Sequence, residues 1–308
     1  MTADIAVSTV PPPAATVLVK PPPQIQPNPF RDQASCSSGD IVKSYTTHRR
    51  NRNAQKKAEL EATQETVVEP LLRGIVKDGE PPEFDYRNCI TIWARPTNAV
   101  KDLAERIQAE FVRVLNPENL AGDNSLTSPT GAVVTDPTDG PIWIMPRDCQ
   151  HMSLLEITHS VSPQEVDALL TRLKPNLEQI LHLNRGTTLC RPLVCFDASA
   201  VALTFVPVDS EPYTYTHLRA DIFDRVRQSV PIASRYQVPS AHIALVRFME
   251  KITDDQVTLF LDTIDRINRE LEHSTLTWTV GSENGLSCRC GRIWYGGGWT
   301  EFVGNTID

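Results

Sequence analysis

Two short stretches of this chain set an imidazole beside a small side chain within otherwise apolar sequence. In Pro141 to Ser160, PIWIMPRDCQHMSLLEITHS, His151 and Ser153 are separated by one residue, and in Val238 to Phe248, VPSAHIALVRF, His242 and Ala244 repeat the layout. Strand side chains alternate between faces, so each histidine shares a face with the residue two further on. Met152 and Leu154, like Ile243 and Leu245, then point into a core. An imidazole with its ordinary pKa of about 6.5 takes up or gives up a proton readily at neutral pH. Two of them converging on one cleft can serve as base and acid in a single reaction. The plainer reading of each is a core histidine satisfied by backbone partners, and of Ser153 a small residue hydrogen-bonded within its own sheet.

The paired tetrads, His-apolar-Ser-apolar and His-apolar-Ala-apolar, resemble the double motif of the two-histidine (2H) phosphoesterase superfamily. Over roughly residues 84 to 300 the chain is similar to fungal RNA ligase/cyclic nucleotide phosphodiesterase-like proteins. The resemblance implies an α+β fold of two pseudo-symmetric lobes, two antiparallel sheets flanked by helices around a central groove, with one histidine projecting from each lobe. It further implies a metal-independent phosphodiesterase without cofactor, acting on a cyclic phosphodiester at an RNA 3′ end or on a small nucleotide. Hydrolysis of a 2′,3′-cyclic phosphate requires water to lose a proton as it attacks phosphorus and the leaving ribose oxygen to gain one. On this template His151 and His242 divide those tasks, and Ser153 binds a phosphoryl oxygen.

Ala244 departs from the family pattern, which expects Thr or Ser. A methyl group cannot donate a hydrogen bond, and losing one such donor costs about 10²- to 10³-fold in rate. Ser240, two residues before His242 on the same strand face, and Tyr295 are candidates to supply the missing contact. Arg247 has little weight, because strict alternation puts it on the opposite face. The departure leaves two other readings open: a non-catalytic module that binds a nucleotide or RNA end, and a diverged acid/base lyase or cyclase acting on a metabolite in the same groove.

The totals narrow the partners. A net charge of -8 over 308 residues argues against a broad basic surface for double-stranded DNA, while a small phosphate ester held in a cleft remains compatible. The seven cysteines form no CxxC pair, so reduced thiols and a cytoplasmic address are expected, with the nucleus also compatible. No apolar run of about 18 residues marks a membrane span, and no secretory signal is evident. No metal-ligating, HExxH, GxSxG or P-loop pattern occurs, the other histidines have no partner motif, and a monomer is expected.

The elements that must position these residues follow from patterning. Residues 1–38, with two PPP runs, read as a disordered segment, and residues 39–83 as a helical extension capped near Gly39-Asp40 and ending about Thr63. Its basic half, including Arg49, Arg50 and Arg52, reads as a solvated face ahead of an RNA or phosphate contact. In residues 84–308, a strand at Asn88 to Pro96 leads to an amphipathic helix at Val100 to Leu115, with Leu103, Ile107, Phe111 and Val114 on one face. A loop insertion over Asn116 to Gly140 precedes the first histidine strand. Ser162, Pro163 and Glu165 start a helix that Lys174-Pro175 divides, and strands follow at Leu193 to Phe196 and Ala200 to Val206. Helices at His217 to Ser229 and Asp254 to Glu272 flank the second histidine strand, and the C-terminus reads as a hairpin with Gly285 at positive φ.

Overall fold

The computed structural model describes residues 26–78, 87–116, 140–234 and 237–307. Most of the segment expected to be disordered, and nearly all of the expected loop insertion, lie outside the described residues. The strands are β1 (Asn88–Ala94), β2 (Ile142–Ile144), β3 (Met152–Val161), β4 (Thr188–Phe196), β5 (Ala200–Pro207), β6 (Ala241–Phe248), β7 (Trp278–Thr279), β8 (Ser287–Gly291) and β9 (Trp299–Val303). They pair antiparallel in one nine-stranded sheet of order β7-β4-β5-β6-β3-β1-β8-β9, with β2 alongside β6. The helices are α1 (Arg31–Ala34), α2 (Ser38–Thr63), α3 (Pro70–Arg73), α4 (Asn98–Leu115), α5 (Pro163–Leu173), α6 (Leu177–Leu181), α7 (Tyr215–Val226) and α8 (Asp254–Leu271).

The fold is α+β as expected, but its strands form one sheet rather than two. The histidine strands β3 and β6 are neighbours at the centre, joined through the single register pair Met152–Ile243. Elsewhere pairing is extensive: β3 with β1 and β6 with β5 each share six registered pairs. The sheet thus consists of two well-paired halves that meet at a short seam.

Each histidine strand is interrupted at the same offset. On β3, Ser153 pairs with Trp93 and Leu155 with Ile92, leaving Leu154 unopposed. On β6, Ala244 pairs with Ala202 and Val246 with Val201, leaving Leu245 unopposed. An extra residue in one strand resets the alternation of faces beyond it. Glu156 and Arg247 therefore return to the face of His151 and His242.

Local signals explain the flanking helices. The expected stripe of α4 is buried at Leu103, Ile107 and Phe111, with Val114 partly so. Ser162 and Glu165 form a reciprocal capping box on α5, and a 3₁₀ turn at Lys174–Asn176 separates it from α6. The extension is built into the core: Ile41, Val42, Tyr45 and Leu60 of α2 share one buried cluster with the sheet. Residues 26–37, expected to be disordered, are also packed. Phe30 is fully buried against Phe223, with ring centroids 6.0 Å apart, and the Gln26 side chain bonds the backbone of Ile232 in both directions at 2.7 and 3.0 Å. Full burial of one such ring stabilises by about 1.5–3 kcal/mol, and Arg31 Nε adds a polar tether to Asp224 at 2.7 Å.

The C-terminal hairpin lies elsewhere than expected. β7 pairs with β4 at one end of the sheet, whereas β8 pairs with β1 and β9 near the other. Gly285 has no positive φ; a Cβ there would lie 2.1 Å from the Gly304 carbonyl, so close approach is what requires glycine. No helix among the described residues is long and apolar enough to cross a membrane.

Candidate active site at the seam between the histidine strands

Continuing the Met152–Ile243 register by one residue each way sets His242 across from Ser153 and His151 across from Ala244, all on one face. The imidazoles are thus diagonal cross-strand neighbours, a relation that separates Cβ atoms by about 7–8 Å or somewhat less. Both line one cavity of about 250 Å³, together with Ser153, Ala244, Arg247 and Tyr295.

His151 is tightly fixed. Its ring stacks on Trp93 with centroids 3.5 Å apart and planes 8° from parallel. Its Nδ1–H donates to the Cys149 carbonyl at 2.7 Å. A carbonyl only accepts, so the neutral ring carries its proton on Nδ1 and a lone pair on Nε2. Burial lowers the His151 pKa to about 3, with Arg95, His242 and Arg289 pushing the same way and the bond to Cys149 opposing. Arg95 and Arg289 also lie over the Trp93 ring, at 4.9 and 5.0 Å from its centroid.

His242 is held through a hydroxyl: its Nδ1 lies 3.0 Å from Ser240 Oγ. Burial lowers its pKa to about 4, with Arg52, Arg219 and Arg247 adding to the effect. Both values lie well below 7, so the two rings are neutral at that pH, where an ordinary imidazole is partly protonated. The physical reason is desolvation, which disfavours the charged form.

The other expected residues divide. Ser153 faces the cavity with the histidines, whereas Ser240 faces an adjoining chamber and orients the His242 ring. Tyr295 sits in the β8–β9 connection at φ 59, ψ 29, the left-handed region, and its ring meets Trp143 edge-on at 5.7 Å. Gly296 follows at φ +93, and a Cβ there would lie 2.7 Å from Cys149 Sγ. The glycines thus let this loop press against the segment that holds His151. Burial raises the Tyr295 pKa, and the neighbouring Glu69, which shares a hydrogen bond with the phenol, raises it further.

Arg247 is the main correction to the sequence reading. The bulge at Leu245 carries it into the cavity, where its guanidinium lies 3.8 Å from the Glu69 carboxylate and 5.6 Å from the Tyr295 ring centroid. Its Nε is buried without a hydrogen-bond partner. Glu156, brought round by the matching bulge at Leu154, and Thr91 opposite it also line the cavity and were missed. Glu156 is itself engaged by neighbouring groups. The available signal was a charge on a face that alternation assigns to the core, in both SLLE and ALVR. Among the described residues, no group of three His, Cys, Asp or Glu side chains is placed to hold a metal ion.

No family model and no curated protein matches the chain. Among solved structures it is similar to a conserved protein of unknown function from Agrobacterium tumefaciens, at 11% identity and a TM-score of 0.43, over 77% of this chain and 99% of that one.

Proposed function

We propose that the protein is a two-histidine phosphodiesterase that hydrolyses a cyclic phosphodiester, of a 2′,3′-cyclic RNA end or a small nucleotide, with the halves of its sheet corresponding to the two lobes of that superfamily. The observation that carries this reading is the sharing of one face and one cavity by His151, His242, Ser153 and Arg247. His151 serves as the base: its Nδ1–H is committed to a carbonyl, so Nε2 takes the proton from the attacking water. As the new P–O bond forms, the bond to one ribose oxygen breaks, and His242 delivers a proton to that oxygen. A bound phosphate anion raises the pKa of both rings, and the Ser240 hydroxyl serves either charge state of His242, donating to a lone pair on Nδ1 or accepting from Nδ1–H. The Ser153 hydroxyl and the Arg247 guanidinium hold the non-bridging oxygens, so that Arg247 fills the role left open at Ala244. Both histidines come from one chain, so a monomer suffices.

The assay is release of 2′- or 3′-nucleotides from 2′,3′-cyclic substrates in the presence of EDTA. Turnover that survives replacement of both His151 and His242 would overturn the assignment. Ala244 favours one further reading, a module that binds a nucleotide or RNA end without turning it over; measurable affinity with no product would establish it. A lyase or cyclase calls for a mainly apolar groove; the lining here is charged, and Arg247 supplies the cation that favours the phosphate reading.

A further inference from the structure

Beyond the histidine cavity lies a second chamber of about 330 Å³, and the two share His242, Ala244 and Arg247 as their common wall. Its far side is supplied by α2, which contributes His48, Arg49 and Arg52. Arg49 is only 8% exposed; its Nη1 donates to the Arg191 carbonyl at 2.6 Å, and its Nε is buried with no hydrogen-bond partner. Burial lowers its pKa to about 10, which leaves it charged at neutral pH. Arg52 pairs with Asp197 at 2.7 Å, and Asp197 also accepts from the backbone and hydroxyl of Ser199. Arg49, Arg52 and Arg247 thus line a chamber with one carboxylate, Asp197, while Arg247 also lies 3.8 Å from Glu69.

A buried guanidinium with an unmet donor is costly unless an acceptor completes it, and a tetrahedral oxyanion matches its geometry. We propose that this chamber binds a second phosphate of the same substrate, so that the preferred class is a nucleotide carrying a 5′-phosphate as well as its 2′,3′-cyclic phosphate. The inference rests on the phosphodiesterase reading for the placement of the first phosphate. Ala244 gains a second meaning under this proposal: a small residue on the shared wall is where a ribose joining the two phosphates would pass.

The test is calorimetric binding of three probes to the full chain: a nucleoside 3′-monophosphate, the corresponding 3′,5′-bisphosphate, and inorganic phosphate. The bisphosphate is expected to bind about 10- to 100-fold more tightly than the monophosphate, the range of one charge-assisted contact. Arg52→Leu, at a half-exposed position on α2, should remove most of that gain, and Ala244→Val should reduce it by crowding the shared wall. Equal affinities for the two nucleotides, or a gain that survives Arg52→Leu, would overturn the proposal. Binding of inorganic phosphate without any gain for the bisphosphate would also overturn it, marking the chamber as a free-phosphate site. Because the readout is binding, failure to hydrolyse a cyclic substrate would count against the phosphodiesterase reading alone.

Discussion

β3 and β6 share a backbone plan and differ in nearly every side chain that meets the cavity. Each begins beside a histidine, holds a small residue two positions on, and bulges at the next, so that a charged residue re-enters the same face. In β3 those positions are Ser153 and Glu156, and His151 is anchored by a backbone carbonyl. In β6 they are Ala244 and Arg247, and His242 is anchored by a hydroxyl. The geometry is thus duplicated while the electrostatics are not. A reaction that needs one base and one acid takes its two groups in different protonation states, and this asymmetry is what would give each imidazole a fixed role.

Removing either ring should have the largest effect. His151→Ala and His242→Ala are each expected to lower kcat about 10²- to 10⁴-fold on a 2′,3′-cyclic nucleotide, the usual contribution of a positioned acid or base. The pH profile should come next and would show whether the rings differ. The free-enzyme pKa of His242 is lowered to about 4, so above that pH its acid form gains about tenfold for each unit the pH falls. kcat/KM should therefore rise about 10²-fold from pH 7 to pH 5, until protonation of His151, lowered to about 3, removes the base. A bell centred between pH 6 and 7 would mean that burial does not control these rings.

Arg247 tests whether the asymmetry is compensatory. Arg247→Met should cost about 10- to 100-fold in kcat/KM through loss of a charge-assisted contact, and Arg247→Lys should recover part of that. An unchanged rate in Arg247→Met would leave the β6 side without a phosphate donor and return weight to a non-catalytic module.

The sequence carried the histidine pair and most helices because those depend on local rules: alternation for His151 and Ser153, a capping box for Ser162 and Glu165, and an amphipathic stripe for Leu103, Ile107 and Phe111. What it did not carry depends on neighbours in space. Arg247 and Glu156 reach the cavity only because β5 and β1 skip Leu245 and Leu154 in their pairing, and no propensity encodes a bulge. Gly285 looked like a turn glycine, yet its role is set by the Gly304 carbonyl packed against it. The merging of two halves into one sheet rests on a single pair, Met152–Ile243, between strands far apart in the chain. Residues 26–37 show the converse: buried Phe30, the Gln26 bonds to Ile232 and the Arg31 pair with Asp224 together anchor residues that composition assigned to disorder.

The smallest effect should come from making the two strands alike. Ala244→Ser restores the hydroxyl that β3 carries at Ser153, and in a site that lacked a phosphate donor it would raise the rate by about 10²-fold or more. Arg247 already lines the same cavity with its positive charge, so a second donor there has little left to stabilise. The hydroxyl would also sit across from His151, where it could hydrogen-bond Nε2 and compete with the attacking water. The two consequences oppose each other, and kcat for Ala244→Ser is expected to stay within about threefold of the parent, because a neutral hydrogen bond is worth only about 0.5–1.5 kcal/mol either way. A gain of two orders of magnitude would instead show that Arg247 does not stand in for the missing hydroxyl, and that the wall between the chambers had been tuned for binding at the expense of turnover.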